Sequence, residues 1–132
     1  MTFPSVTATY AALFGLIFLG LTAWVIGGRA RFKAHHGDGG EERLNRRIRA
    51  HANFAEYVPL ILILVALLEG GGANRSIVNA LLAPLLVARL AHPFGMVAPI
   101  ASPQQFGFRG LSVIVTMLVL FAASLLLLAR VL

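Results

Sequence analysis

Four long apolar segments alternate with polar connections along the chain. The first runs from about Ala8 to Ile26, the second from about Leu44 to Glu69, the third from about Asn74 to His92, and the fourth from about Phe106 to Leu132. A helix needs roughly 20 residues to cross a bilayer. The purely apolar part of the second segment, Tyr57 to Leu68, falls short of that. It must borrow length from the polar run Arg49-Ala50-His51-Ala52-Asn53-Phe54-Ala55-Glu56, which puts Asn53 and Glu56 at membrane depth. An ionisable group there is expensive and points to function by default. Tyr10 and Trp24 suit interfacial anchors at the two ends of the first helix. Gly37-Asp38-Gly39-Gly40 breaks the first connection, and Glu41 and Glu42 stand where a helix start favours negative charge. Gly70-Gly71-Gly72 ends the second helix. Pro93, Pro99 and Pro103 predict a loop from Pro93 to Gln105. The pattern predicts one all-α domain over residues 1–132, an integral membrane antiparallel four-helix bundle.

Composition agrees. Hydrophobic residues make up 58% of the 132 and charged residues only 12%, against about 25% charged in a soluble domain. Mean hydropathy is +0.84. A net charge of +6 raises the possibility of a nucleic-acid partner. The basic residues crowd the connections, however, which reads as membrane topology and not as a phosphate-binding face. Arg29, Arg31, Lys33, Arg43, Arg46, Arg47 and Arg49 flank the first connection, and Arg89 and Arg109 flank the third. Only Arg75 and Arg130 lie on the opposite side. The positive-inside rule then predicts a multi-pass membrane protein with both termini on the non-cytoplasmic side. The first apolar stretch lacks a basic leader and a convincing cleavage site, so it reads as a retained helix. With no cysteine, disulfides, thiolate metal sites and a cysteine nucleophile are excluded. No histidine pair has metal-ligand spacing on one helix, and His35-His36 is a weak metal signal, so no metal is expected.

The candidate chemistry lies in the second helix. At 100° per residue Arg49, Asn53 and Glu56 fall within an arc of about 60°, with Glu56 about 10 Å along the axis from Arg49. Tyr57 flanks the stripe. Pro59 leaves the carbonyl of Ala55 without its helix donor, next to Glu56. One face thus offers a cation, an amide and a carboxylate at increasing depth, which matches a zwitterion carrying a carboxylate, an amide and an ammonium. The competing reading is a polar network that only holds helices together. Arg109 opens the fourth helix, where a guanidinium either stabilises an anion such as a thiolate or snorkels to the interface. Arg89 and His92 end the third helix on the same side, lining that pocket or complementing the helix terminus. Arg46 and Arg47 read as headgroup contacts, and His51 as a helix-end side chain without chemistry.

The run from Arg49 to Tyr57, with Pro59 after it, resembles the second-helix signature of the membrane-associated proteins in eicosanoid and glutathione metabolism, the MAPEG family. The segment from Gly37 to Leu68 is most similar to bacterial members, for which a bacterial inner membrane is the expected location. The resemblance implies a homotrimer with glutathione bound as co-substrate between subunits, near the cytoplasmic side. It implies that Arg49, Asn53, Glu56 and Tyr57 bind glutathione, with Arg29 reaching the same site from an adjacent subunit and Arg89 and His92 lining the pocket. Arg109 matches the arginine that activates the thiol in catalytic relatives. His92 and Met96 stand where some eukaryotic relatives carry tyrosines.

The function expected on that basis is a membrane-embedded glutathione-dependent transferase or peroxidase acting on lipophilic small molecules that enter from the membrane lipid. The alternative is a non-enzymatic lipid- or glutathione-binding protein of the same fold, since the family includes a lipid-binding member. A third class, a small proton-coupled exporter, fits poorly because the first helix carries no acidic residue.

Overall fold

The computed structural model describes residues 2–132. Among the described residues there are four long α-helices and no strand: α1 (Ser5–Phe32), α2 (Glu42–Gly70), α3 (Arg75–Val97) and α4 (Leu111–Val131), with a π-helical turn (Gln105–Gly110) leading directly into α4. With that turn included in the last, each is long and apolar enough to cross a membrane.

α2 and α3 form a central pair, with α1 packed on one side of it and α4 on the other; α1 and α4 do not touch. The reason is legible in α2. Phe54, Val58, Ile61, Val65 and Leu68 are all buried, at alternating spacings of four and three. That seam faces Phe14 and Leu21 of α1, Val78, Leu82 and Leu85 of α3, and Val119 and Ala123 of α4. Alternation of four and three is the seam of antiparallel bundles. Pro59 is exposed, one position from buried Val58, and α2 continues through it unbroken.

The helix ends are fixed locally. The Asn74 side chain accepts from the Ser76 N–H at 2.9 Å and caps α3. Gly72, at φ +90°, turns the chain from α2 into α3 with a conformation that a side chain would strain. The start of α1 has an unusual cap. Glu69, almost at the end of α2, accepts from the Val6 N–H at 2.9 Å, the Thr7 N–H at 2.7 Å and the Thr7 hydroxyl at 2.7 Å. A carboxylate at a helix N-terminus satisfies orphan donors and complements the dipole.

One boundary differs from expectation. α3 does not stop at His92 with a loop from Pro93; it runs through Pro93 to Val97. Proline removes a single helix donor, here the one that would serve the Arg89 carbonyl, and packing on the neighbouring helices carries the helix past it. Arg89 and His92 are therefore inside α3, buried, and not at its end.

Candidate functional site

Charges at the end of the bundle opposite both termini converge on one cleft of about 460 Å³ between α2, α3 and the π-helical turn. α2 supplies Glu42, Arg46, Arg49 and Asn53 to its wall, α3 supplies His92 and Met96, and the turn supplies Gln105 and Arg109. Four of the residues singled out by sequence, Arg49, Asn53, His92 and Arg109, thus come together.

The seam of α2 explains how they face. Arg49 and Glu56 lie about 200° around the helix from Phe54 or its equivalents, away from the core, while Asn53 lies on the flank next to it. Arg49 and Glu56 are accordingly exposed, and Asn53 is half-buried. Glu56 makes no hydrogen bond among the described residues and is not on the cleft wall. Tyr57 is half-buried against the core. Arg29, on α1, is half-buried with its Nε unpartnered and is also away from this cleft.

Arg89 stands behind the wall. It is 1% exposed. Its Nη1 donates to Asn53 Oδ1 at 2.6 Å and its Nη2 to Thr116 Oγ1 at 2.7 Å. Its guanidinium lies 5.9 Å from the centre of the Tyr57 ring, within cation–π range. The Thr116 hydroxyl in turn donates to the Ser112 carbonyl at 2.7 Å. One guanidinium therefore joins α2, α3 and α4. It also occupies one acceptor site of Asn53 Oδ1 and orients that amide, whose N–H donors stay free for the cleft. A partner offering a carbonyl or carboxylate oxygen fits that arrangement.

The electrostatics favour an anion. Among the described residues the one ion pair is Arg46 with Glu42, at 2.9 Å. Arg46 also donates to the Ala98 carbonyl at 3.0 Å. Arg49 and Arg109 have no such partner, so the cleft has two free guanidiniums and a carboxylate that is already engaged. Uncompensated like charges beside low-dielectric walls attract counter-charge.

Arg47 and His51 tie α2 to α1. Arg47 donates to the Trp24 carbonyl at 3.2 Å, with its guanidinium 5.0 Å from that residue's ring system. His51 stacks on Phe18 at 4.6 Å between centroids, and its Nε2 lies 3.1 Å from the Thr22 hydroxyl, tying α2 to α1.

Sequence reasoning missed Asn45, Gln105, Thr116 and Glu69. Thr116 was discoverable: Ser112 and Thr116 are one turn apart in an otherwise apolar run and share a face with Arg109. Glu69 carried only the general signal of an acidic residue beside an apolar stretch.

Four apolar spanning helices, with a cleft lined by basic residues near one end of the bundle, define a class: an integral, multi-pass membrane protein. The family model described as "MAPEG family" matches residues 7–129, and the chain belongs to that family. It is similar to the "Inner membrane protein YecN" of Escherichia coli strain K12, 34% identical over 90 residues that cover 68% of this chain and 69% of the relative. The protein of the same name from Escherichia coli O6:H1 matches to the same extent. No solved structure matches.

Proposed function

We propose that this protein is a glutathione-dependent transferase or peroxidase acting on lipophilic electrophiles, with glutathione held in the cleft near the cytoplasmic side of a bacterial inner membrane. The observation that carries the reading is that two guanidiniums without an ion pair, Arg49 of α2 and Arg109 of the π-helical turn, line one cleft together with Asn53. Arg49 takes a glutathione carboxylate, Asn53 donates to an amide carbonyl or carboxylate oxygen, and Arg109 faces the thiol. A thiol with an ordinary pKa of about 8.5 is mostly protonated at neutral pH. A nearby guanidinium favours the thiolate. The thiolate sulfur then either attacks the electrophilic carbon of a second substrate, forming a C–S bond as the bond to the leaving group breaks, or attacks a hydroperoxide oxygen. In the second case the O–O bond breaks to release an alcohol and a glutathione sulfenic acid, which a second glutathione converts to the disulfide and water. His92 and Met96 close the α3 side of the pocket.

The same reading includes assembly as a homotrimer. Glu56 faces outward at membrane depth, without a side-chain partner among the described residues. Such a carboxylate is costly against lipid, and a neighbouring subunit or the ammonium of a ligand held between subunits relieves the cost. Arg29 and Tyr57 join the site in that arrangement, and Arg89 serves it through Asn53. Positive-inside topology puts the cleft end in the cytoplasm and both termini outside.

The test is conjugation of a generic electrophile and reduction of a hydroperoxide by the purified protein with glutathione. Turnover in either assay is the expected result; no turnover together with no glutathione binding rejects the proposal. A second reading, a non-enzymatic lipid- or glutathione-binding role, draws on the apolar groove of about 660 Å³ between Leu64 and Leu67 of α2 and Leu127 and Leu128 of α4. Glutathione binding without turnover, or co-purified lipid, favours it.

A further inference from the structure

Arg109 lies on a π-helical turn, Gln105–Gly110, and not on the regular helix that follows. A π-turn has one more residue than the α-turn it replaces and is often found at functional sites. One residue amounts to about 100° of rotation around the axis, so the turn decides whether Arg109 faces the cleft or the surrounding lipid. Both flanks of the turn are tied down. Upstream, the Gln105 N–H donates to the Ser102 hydroxyl at 3.1 Å, and Gln105 Oε1 accepts from the Ala101 N–H at 2.9 Å. Downstream, the Ser112 hydroxyl donates to the Phe108 carbonyl.

The third restraint comes from α3. Gly95 is buried with its Cα against the Arg109 main chain. A methyl group built there would collide with the Arg109 backbone nitrogen and would come within 2.8 Å of its Cβ and 2.9 Å of its Cα. These neighbours are backbone and Cβ, not the far end of a flexible chain, so any side chain at 95 must push the turn away. Gly95 also lies between the two residues that α3 gives to the cleft, His92 and Met96.

We infer that Gly95 and the π-turn together are the device that aims Arg109 into the cleft, which makes Gly95 a positioning residue for the thiol of bound glutathione. The inference rests on the proposed function. The groups facing Arg109 across the cleft are Glu42, Arg46 and Arg49 from α2 and His92 from α3.

The experiment compares wild type, Gly95→Ala, a variant with Gly107 deleted, and Gly27→Ala, where an added methyl meets nothing within 4 Å. Each is purified intact and checked by thermal denaturation, and then glutathione affinity, thiolate absorbance and the pH profile of turnover are measured. Gly95→Ala is expected to keep glutathione affinity within about threefold while the apparent pKa of the bound thiol rises by about one unit, a roughly tenfold fall in thiolate and in turnover at neutral pH. Deleting Gly107 removes the extra residue of the turn without altering Gly95 and is expected to do the same, which covers the case in which Gly95→Ala does not fold. Gly27→Ala is expected to match wild type. A wild-type pH profile in a folded Gly95→Ala or Gly107-deleted protein overturns the positioning role alone. A wild-type protein that binds no glutathione overturns the proposed function on which it rests.

Discussion

Glu69 and Arg49 are charged side chains on the same helix, α2, one near each end, and the fold treats them differently. Glu69 is buried and accepts three hydrogen bonds from the start of α1. Around it the Tyr10 hydroxyl donates to Asn79 Oδ1 at 3.0 Å, and an Arg130 N–H donates to the Gly71 carbonyl. Polar groups at that end are consumed by one another. At the other end Arg49 and Arg109 are left open, and the one group that could neutralise them, Glu42, is held by Arg46. A polar group satisfied within the chain stabilises the fold, whereas an unsatisfied charge costs free energy unless something outside the chain pairs with it. The contrast separates an end whose polar groups are satisfied within the fold from an end whose charges stay open, where the proposed ligand would sit.

Substitutions at the two ends should therefore separate activity from stability. The largest effect is expected from Arg109→Ala: turnover with glutathione should fall by about a hundredfold, as when one charge-stabilising donor is lost, while glutathione affinity and thermal stability change little. Steady-state kinetics beside a thermal melt check this. Glu69→Ala should do the reverse, lowering stability by about 2 kcal/mol through lost hydrogen bonds to a charged group and leaving turnover per folded molecule near wild type.

Thr116→Val probes the strut that joins the two regimes. It removes the hydroxyl that accepts from Arg89, and should cost about 1 kcal/mol of stability along with a modest rise in KM for glutathione, because Asn53 is then held less firmly. A stability loss with KM unchanged would separate Arg89 and Thr116 from the site. The smallest effect is expected at Glu42→Gln. The Glu42 carboxylate is exposed, and its pairing with Arg46 should contribute less than about 1 kcal/mol. Glutathione affinity should rise slightly, since the cleft becomes more positive.

How much of this was legible beforehand follows from the physics of each element. The four spans were visible because apolar length is a sufficient signal for a membrane helix. Arg49, Asn53 and Glu56 stood out because charge within a span is costly. The helical phase that turns Arg49 and Glu56 away from the core is carried by the seam from Phe54 to Leu68, which a stripe of polar residues read alone does not reveal. The end of α3 lies beyond the position that Pro93 suggests, because a proline removes only one helix donor and need not stop a packed helix. Arg89 and His92 looked like terminal groups for that reason. The cap made by Glu69, the strut through Thr116 and the contact between Gly95 and Arg109 each pair residues distant in sequence, and no local pattern encodes the partner.

The most direct test of the central claim is a glutathione titration of the purified protein, followed by thermal stability and thiolate absorbance together. Ligand that binds only the folded state stabilises it by about 2.7 kcal/mol at a hundred times its Kd. The account predicts a saturable rise in the thermal midpoint accompanied by a thiolate band, with the rise weakened in Arg49→Ala and the band lost in Arg109→Ala. A thermal midpoint and an absorbance both indifferent to glutathione would contradict it.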